Sequence, residues 1–124
     1  DLERIVHPRV RRLVDDALRA AVEDADPVVV IEAIKLIEGG LAERCDEVWL
    51  VECSADDQRA RLAHRGMPPG EVEQRLGAQG SDLVERLAGL LGQRPHRRLS
   101  TAGSLDETRR RVEGLLAEAL DRQR

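Results

Sequence analysis

Aromatic side chains are almost missing from this chain of 124 residues, which has one Trp, no Tyr and no Phe. Its core must therefore be built from Leu, Val, Ile and Ala. Lysine is nearly missing too: Lys35 is the only one, and every other basic residue except the three histidines is arginine. GC-rich coding produces that pattern, and so would selection for guanidinium groups on phosphates. Long apolar runs are absent, and nothing approaches the roughly 18 consecutive apolar residues of a membrane helix. Cysteine is scarce, and Cys45 and Cys53 make no disulfide framework; they read as inert buried thiols beside a strand. Neither charge sign dominates. With 20 basic and 24 acidic residues and a net charge of −4, no global pull toward nucleic acid or an anionic membrane is expected. No secretory leader is recognised and the sequence opens on Asp1, so the expectation is a cytoplasmic protein.

What is present is 41% hydrophobic and 35% charged, in a length that suits one domain. Val10, Leu13, Val14, Ala17, Ala20 and Ala21 recur at helical spacing, so a helix is expected from His7-Pro8 to about Glu23. Pro8 would sit in its first turn, and Asp24-Ala25-Asp26-Pro27 would stop it. Val28-Val29-Val30-Ile31 reads as a short strand buried on both faces. A helical turn near Leu36–Glu38 is broken by Gly39-Gly40, and Glu47–Glu52 is a second strand with Trp49 in the core. Ser54 caps a helix that carries Leu62 and ends at Gly66. Further helices are expected over Gly70–Ala78 and Asp82–Leu91, and a weak strand at Leu99–Thr101. Ser104 with Glu107 forms a capping box for a last helix striped by Leu105, Thr108, Val112, Leu115, Leu116 and Leu120. Arg109-Arg110-Arg111 reads as a solvated face of that helix. Strands alternating with helices give an α/β class with parallel strands, narrow enough to look like part of a larger sheet.

Six short patterns follow one another along the chain. Leu2 to Pro8 with Val10 matches LExIxHPxV, and Ile31 to Glu38 occupies the place of DxPLLFE. Gly40 to Trp49 matches AGLxxxCDxVxVV, and Gln58, Arg61, Leu62 and Arg65 match QxxRLxxR. Arg75 and Gln79 match RxxxQ, and Gly103-Ser104-Leu105 with Glu107 and Thr108 matches NxGSLxET. In this order and spacing they resemble the dephospho-CoA kinase family, across nearly the whole chain. The resemblance implies ATP-dependent phosphorylation, with Mg²⁺, of the 3′-hydroxyl of dephospho-CoA in coenzyme A biosynthesis. It also implies a three-layer P-loop kinase-type fold with a lid, placed here at about residues 66–95.

No G-x-x-x-x-G-K-[ST] occurs in the sequence, and Lys35 follows Ala33-Ile34 rather than a glycine loop. By the family pattern roughly 70–80 residues, with the P-loop, the central strand and the general base, would precede Asp1. The chain then reads, over 1–124, as the C-terminal part of such a kinase, inactive alone, whose partners are the missing N-terminal segment, dephospho-CoA and ATP. ATP and Mg²⁺ would belong to the parent enzyme. Self-association through exposed strand edges is also expected.

The resemblance assigns candidate sites. Glu32 takes the place of the family Asp, to orient the ribose hydroxyl or hold Mg²⁺ through water; Glu38 ends the same segment. Ile34 stands for the family Pro and Lys35 for its Leu. His7 would meet the substrate at a helix N-terminus. Arg75 is the lid arginine over the phosphates, with Arg65 second and Gln79 beside it. Thr101 stands where the family has the adenine-side Asn. No metal set is read among His7, His64, His96 and the cysteines. The alternative is a CoA- or nucleotide-binding regulatory module that has lost ATP chemistry; another monophosphate kinase of the same fold is a third reading.

Overall fold

The computed structural model describes residues 2–24 and 28–124. These form two compact units, one up to Cys45 and one from Asp46 onward.

In the first unit, helix α1 runs Leu2–Ala21. It begins earlier than expected, because Leu2, Ile5 and Val6 continue the helical spacing of Val10 and Leu13 upstream of the proline. Pro8 therefore lies inside the helix rather than in its first turn. It gives up one backbone bond, to the carbonyl of Arg4. Val14, Leu18 and Ala21 are half-buried, whereas Val10, Leu13, Ala17 and Ala20 are exposed, so the sheltered stripe is narrower than the sequence pattern. Ala25, Asp26 and Pro27 of the expected stop lie outside the described residues.

Val28–Ile31 is not a strand. It pairs with nothing among the described residues, and Val30 is 85% exposed. A β-branched run becomes a strand only when a neighbouring strand supplies the ladder; without one its backbone groups stay in water. Residues 34–40 form successive turns and Leu41–Arg44 a 3₁₀ turn. Gly39 is required there, since a Cβ would sit 2.7 Å from the Lys35 carbonyl oxygen, and Gly40 takes φ +79°.

The second unit holds β1 (Val48–Glu52), α2 (Ala55–His64), α3 (Pro69–Gln79), α4 (Leu83–Leu91), β2 (His96–Ser100) and α5 (Leu105–Gln123). The two strands pair in parallel, Val48 opposite His96 through Glu52 opposite Ser100. The second strand thus starts three residues before the expected Leu99. Local chemistry sets most of the helix ends. Ser54 Oγ accepts the Asp57 N–H, Pro69 opens α3, and Ser104 with Glu107 forms the full capping box of α5.

Successive strand residues face opposite sides of the sheet, and Arg97 and Arg98 mark the two sides. Arg98 pairs with Glu85 of α4 at 3.3 Å, and Arg97 with Glu118 of α5 at 3.4 Å. Helix α4 packs on β1 and α5 on β2, so each face of the ribbon carries a helix. Val48, Leu50, Leu62, Val72, Leu91 and Leu99 are the buried core of this unit, all aliphatic. Trp49 is half-buried, and its Nε1 donates to Glu47 Oε1 at 2.6 Å. Leu105, expected in the stripe of α5, is 75% exposed because it belongs to the capping turn. Cys45 and Cys53 form no disulfide and are half-buried rather than buried.

Candidate functional site

The carboxyl ends of parallel strands are where α/β folds gather ligands. At that end of β1 and β2, α2 opens at Ser54 and α5 at Ser104. Between them the loop 100–103 is fastened from several directions. The Thr101 N–H donates to the Glu52 carbonyl at 2.9 Å, extending the ladder by one bond. The Thr101 hydroxyl donates to the same carbonyl at 3.2 Å and accepts from Arg61 Nη1 at 2.8 Å. Arg61 Nη2 donates to the Thr101 carbonyl at 2.7 Å. Thr101, expected to face a nucleotide, thus has its hydroxyl proton and one lone pair already engaged.

A second set of bonds ties α2 to α3. Gln58 Nε2 donates to Gln79 Oε1 at 2.7 Å, joining the first residue of QxxRLxxR to the last of RxxxQ. Arg59 forks onto Glu73 at 2.7 and 3.3 Å. That fork holds the Glu73 carboxyl below the usual carboxylate range. Arg98 does the same to Glu52 at the end of β1 through bonds of 3.1 and 2.8 Å. Glu107 is lowered by the backbone N–H of Ser104 and then by the Ser104 hydroxyl.

These bonds sort the arginines. Arg59, Arg61 and Arg98 are committed to the fold. The side chains of Arg65 and Arg75 are exposed and enter no hydrogen bond or ion pair among the described residues. Their guanidinium groups are available to an anion, and fork geometry suits phosphate. Arg65 sits at the C-cap of α2 and Arg75 midway along α3.

In the first unit, His7 is exposed on the interior of α1, not at a helix N-terminus. The anion argument made for that position does not apply, because the helix starts five residues earlier. Glu32 and Glu38 are exposed and likewise unpaired among the described residues. Glu32 follows an unpaired segment, not the buried strand expected before it. Arg11 Nη2 donates to the Gly39 carbonyl at 2.6 Å, and Asp15 pairs with Arg44 at 3.0 Å. Two residues one turn apart on α1 thereby hold the turn segment that follows Glu38. Sequence reasoning missed Arg11, Asp15, Arg44 and Arg111. Only the helical spacing of Arg11 and Asp15 gave any signal.

The family model for dephospho-CoA kinase matches residues 1–89. The chain belongs to the dephospho-CoA kinase family. A dephospho-CoA kinase of Rhodopirellula baltica is 34% identical over 119 residues, covering 96% of this chain and 52% of that protein. One of Symbiobacterium thermophilum is 40% identical over 113 residues, covering 90% and 45%. One of Geobacter metallireducens is 36% identical over 131 residues, covering 98% and 58%. The chain spans about half the length of these relatives. No solved structure matches it. The span matched by the dephospho-CoA kinase model takes in His7, Glu32, Glu38, Arg65, Arg75 and Gln79 and ends before Thr101.

Proposed function

We propose that this chain is the substrate-binding and lid half of a dephospho-CoA kinase, which transfers the γ-phosphoryl group of ATP to the 3′-hydroxyl of dephospho-CoA. The observation that carries the reading is the stitching of family motif residues to one another, Gln58 to Gln79 between α2 and α3, and Arg61 to Thr101 at the carboxyl end of the strands. Phosphoryl transfer asks a protein for positioning and charge neutralisation more than for covalent chemistry. Arg75 and Arg65 supply free guanidinium groups for the phosphates. Residues 66–95, spanning α3 and α4, act as the lid, with the Gln58–Gln79 and Arg59–Glu73 bonds tying α3 to α2. Glu32, Glu38 and His7 serve substrate binding, as the family pattern assigns them.

Among the described residues no three His, Cys, Asp or Glu side chains converge to hold a metal ion. The phosphate cradle and the central strand belong to the rest of the protein. A strand supplied by that part would give the free edge of β1 a partner. The protein is cytoplasmic in this reading, and no helix among the described residues is long and apolar enough to cross a membrane.

The engaged Thr101 hydroxyl, together with Ile34 and Lys35 at family Pro and Leu positions, favours a second reading: a CoA-binding module without ATP turnover. ADP release by the whole protein, measured with dephospho-CoA, AMP, CMP or shikimate as acceptor, decides between them. Turnover with dephospho-CoA alone supports the first reading. CoA binding without turnover supports the second, and a whole protein lacking G-x-x-x-x-G-K-[ST] would sink the catalytic one.

A further inference from the structure

Arg111 lies on α5, in a run of three arginines that the sequence reads as a solvated face. Its neighbours stay on their own helix, Arg109 pairing with Asp106 and Arg110 donating to the Asp106 carbonyl. Arg111 does not. Its Nη1 donates to the Ser100 carbonyl at 3.0 Å and to the Ala102 carbonyl at 2.7 Å. Arg61 takes the carbonyl between them, that of Thr101. Three consecutive peptide carbonyls are therefore held by guanidinium groups from helices on either side of the loop in sequence. The Ala102 N–H is held as well, donating to Ser100 Oγ at 3.2 Å. Beyond it, Gly103 adopts φ +85°, and the capping carboxylate of Glu107 fills the space a Cβ would need.

We propose that Arg111 is a positioning residue for nucleotide binding, which fixes the peptide planes of the loop 100–103 so that it meets the base side of ATP already shaped. The inference rests on the reading of this chain as part of a dephospho-CoA kinase, and it goes beyond that reading by naming a residue outside every family motif. A charged donor on a peptide carbonyl is stronger than a neutral one. Its planar nitrogen presents two hydrogens in fixed directions, one for each carbonyl. Removing it frees the Ser100 and Ala102 peptides to rotate, and binding must then reorder them.

The test is steady-state kinetics of the whole protein with Arg111→Met and Arg111→Lys, alongside direct calorimetric binding of a non-hydrolysable ATP analogue. Arg111→Met is expected to raise KM for ATP about tenfold, with kcat and KM for dephospho-CoA nearly unchanged. Arg111→Lys, which keeps the charge and a donor, should recover part of that loss. A merely structural role would move all three parameters together with the melting temperature, and that result overturns the proposal. So does an unchanged analogue affinity in Arg111→Met. A wild-type protein that binds no ATP analogue and turns over no dephospho-CoA overturns the functional reading itself, and this proposal with it.

Discussion

Gly103→Ala and Gly114→Ala make the same chemical change at the cap and in the body of α5, and should move stability in opposite directions. Gly103 holds φ +85°, where a Cβ would collide with the Glu107 carboxylate that caps the helix. The left-handed conformation alone costs an alanine about 1–2 kcal/mol, and displacing Glu107 from the Ser104 N–H adds to it. Gly114 has helical backbone and open space where its Cβ would go. Alanine there gains about 1 kcal/mol of helix propensity. The two variants should differ by at least about 2–3 kcal/mol, which for a protein about twice the length of this chain is a separation of roughly 4–12 °C in Tm. Urea denaturation and thermal melts of the whole protein measure it. In a Glu107→Ala background, part of the Gly103→Ala penalty should vanish, since the collision is gone and only the backbone cost remains. Equal signs for the two glycines, or a Gly103→Ala protein as stable as wild type, would refute the argument.

Arg75→Gln should lower kcat of the whole protein about 10²-fold with its melting temperature unchanged, because the guanidinium has no partner to lose in the fold; Arg59→Gln should instead lower stability slightly, as the loss of an exposed pair does, with a smaller effect on turnover. Glu52, Glu73 and Glu107 are each held below the usual carboxylate range. Their contribution is therefore complete above the unfolded value of about 4.3 and fades as pH falls through the lower folded values. Unfolding free energy followed from pH 7 to 2 should decline in that window, and Glu52→Gln should flatten the decline; an unaltered profile would remove the Arg98 fork as its cause. The 124 residues on their own should release no ADP in the presence of dephospho-CoA and should self-associate, with a concentration-dependent melt. A sharp monomeric melt at every concentration would contradict this.

Legibility from sequence followed the range of each interaction. Ser54, Pro69, Ser104 and Glu107 act within a few residues of themselves, so their caps are written in the local order of side chains. The motif residues Gln58, Arg61 and Gln79 were legible as a pattern, but not as partners. Arg61 meets Thr101 across 40 positions, and no local rule pairs them. Val28–Ile31 misled because a strand is a relation between two segments, and composition describes only one of them. At Pro8 the conflict runs the other way: proline is a helix start signal, but the apolar spacing of Leu2, Ile5 and Val6 carries the helix upstream of it. Arg111 was hidden among like residues, since nothing in a run of three arginines says which one turns back toward the preceding loop.

Several arginines here grip carbonyl oxygens of the main chain rather than carboxylates: Arg11 on Gly39, Arg61 on Thr101, Arg86 on Gln79 and Arg111 on Ser100 and Ala102. A peptide carbonyl is supplied by whichever residue occupies the position. The loops held this way can drift in side chain without losing their path, and threonine at the Asn place of the NxGS pattern, still held through its carbonyl, is an instance. The mutational burden is thereby moved off the loops and onto the arginines that hold them. Random substitution scored for folding should find Ser100, Thr101 and Ala102 permissive, and Arg61 intolerant.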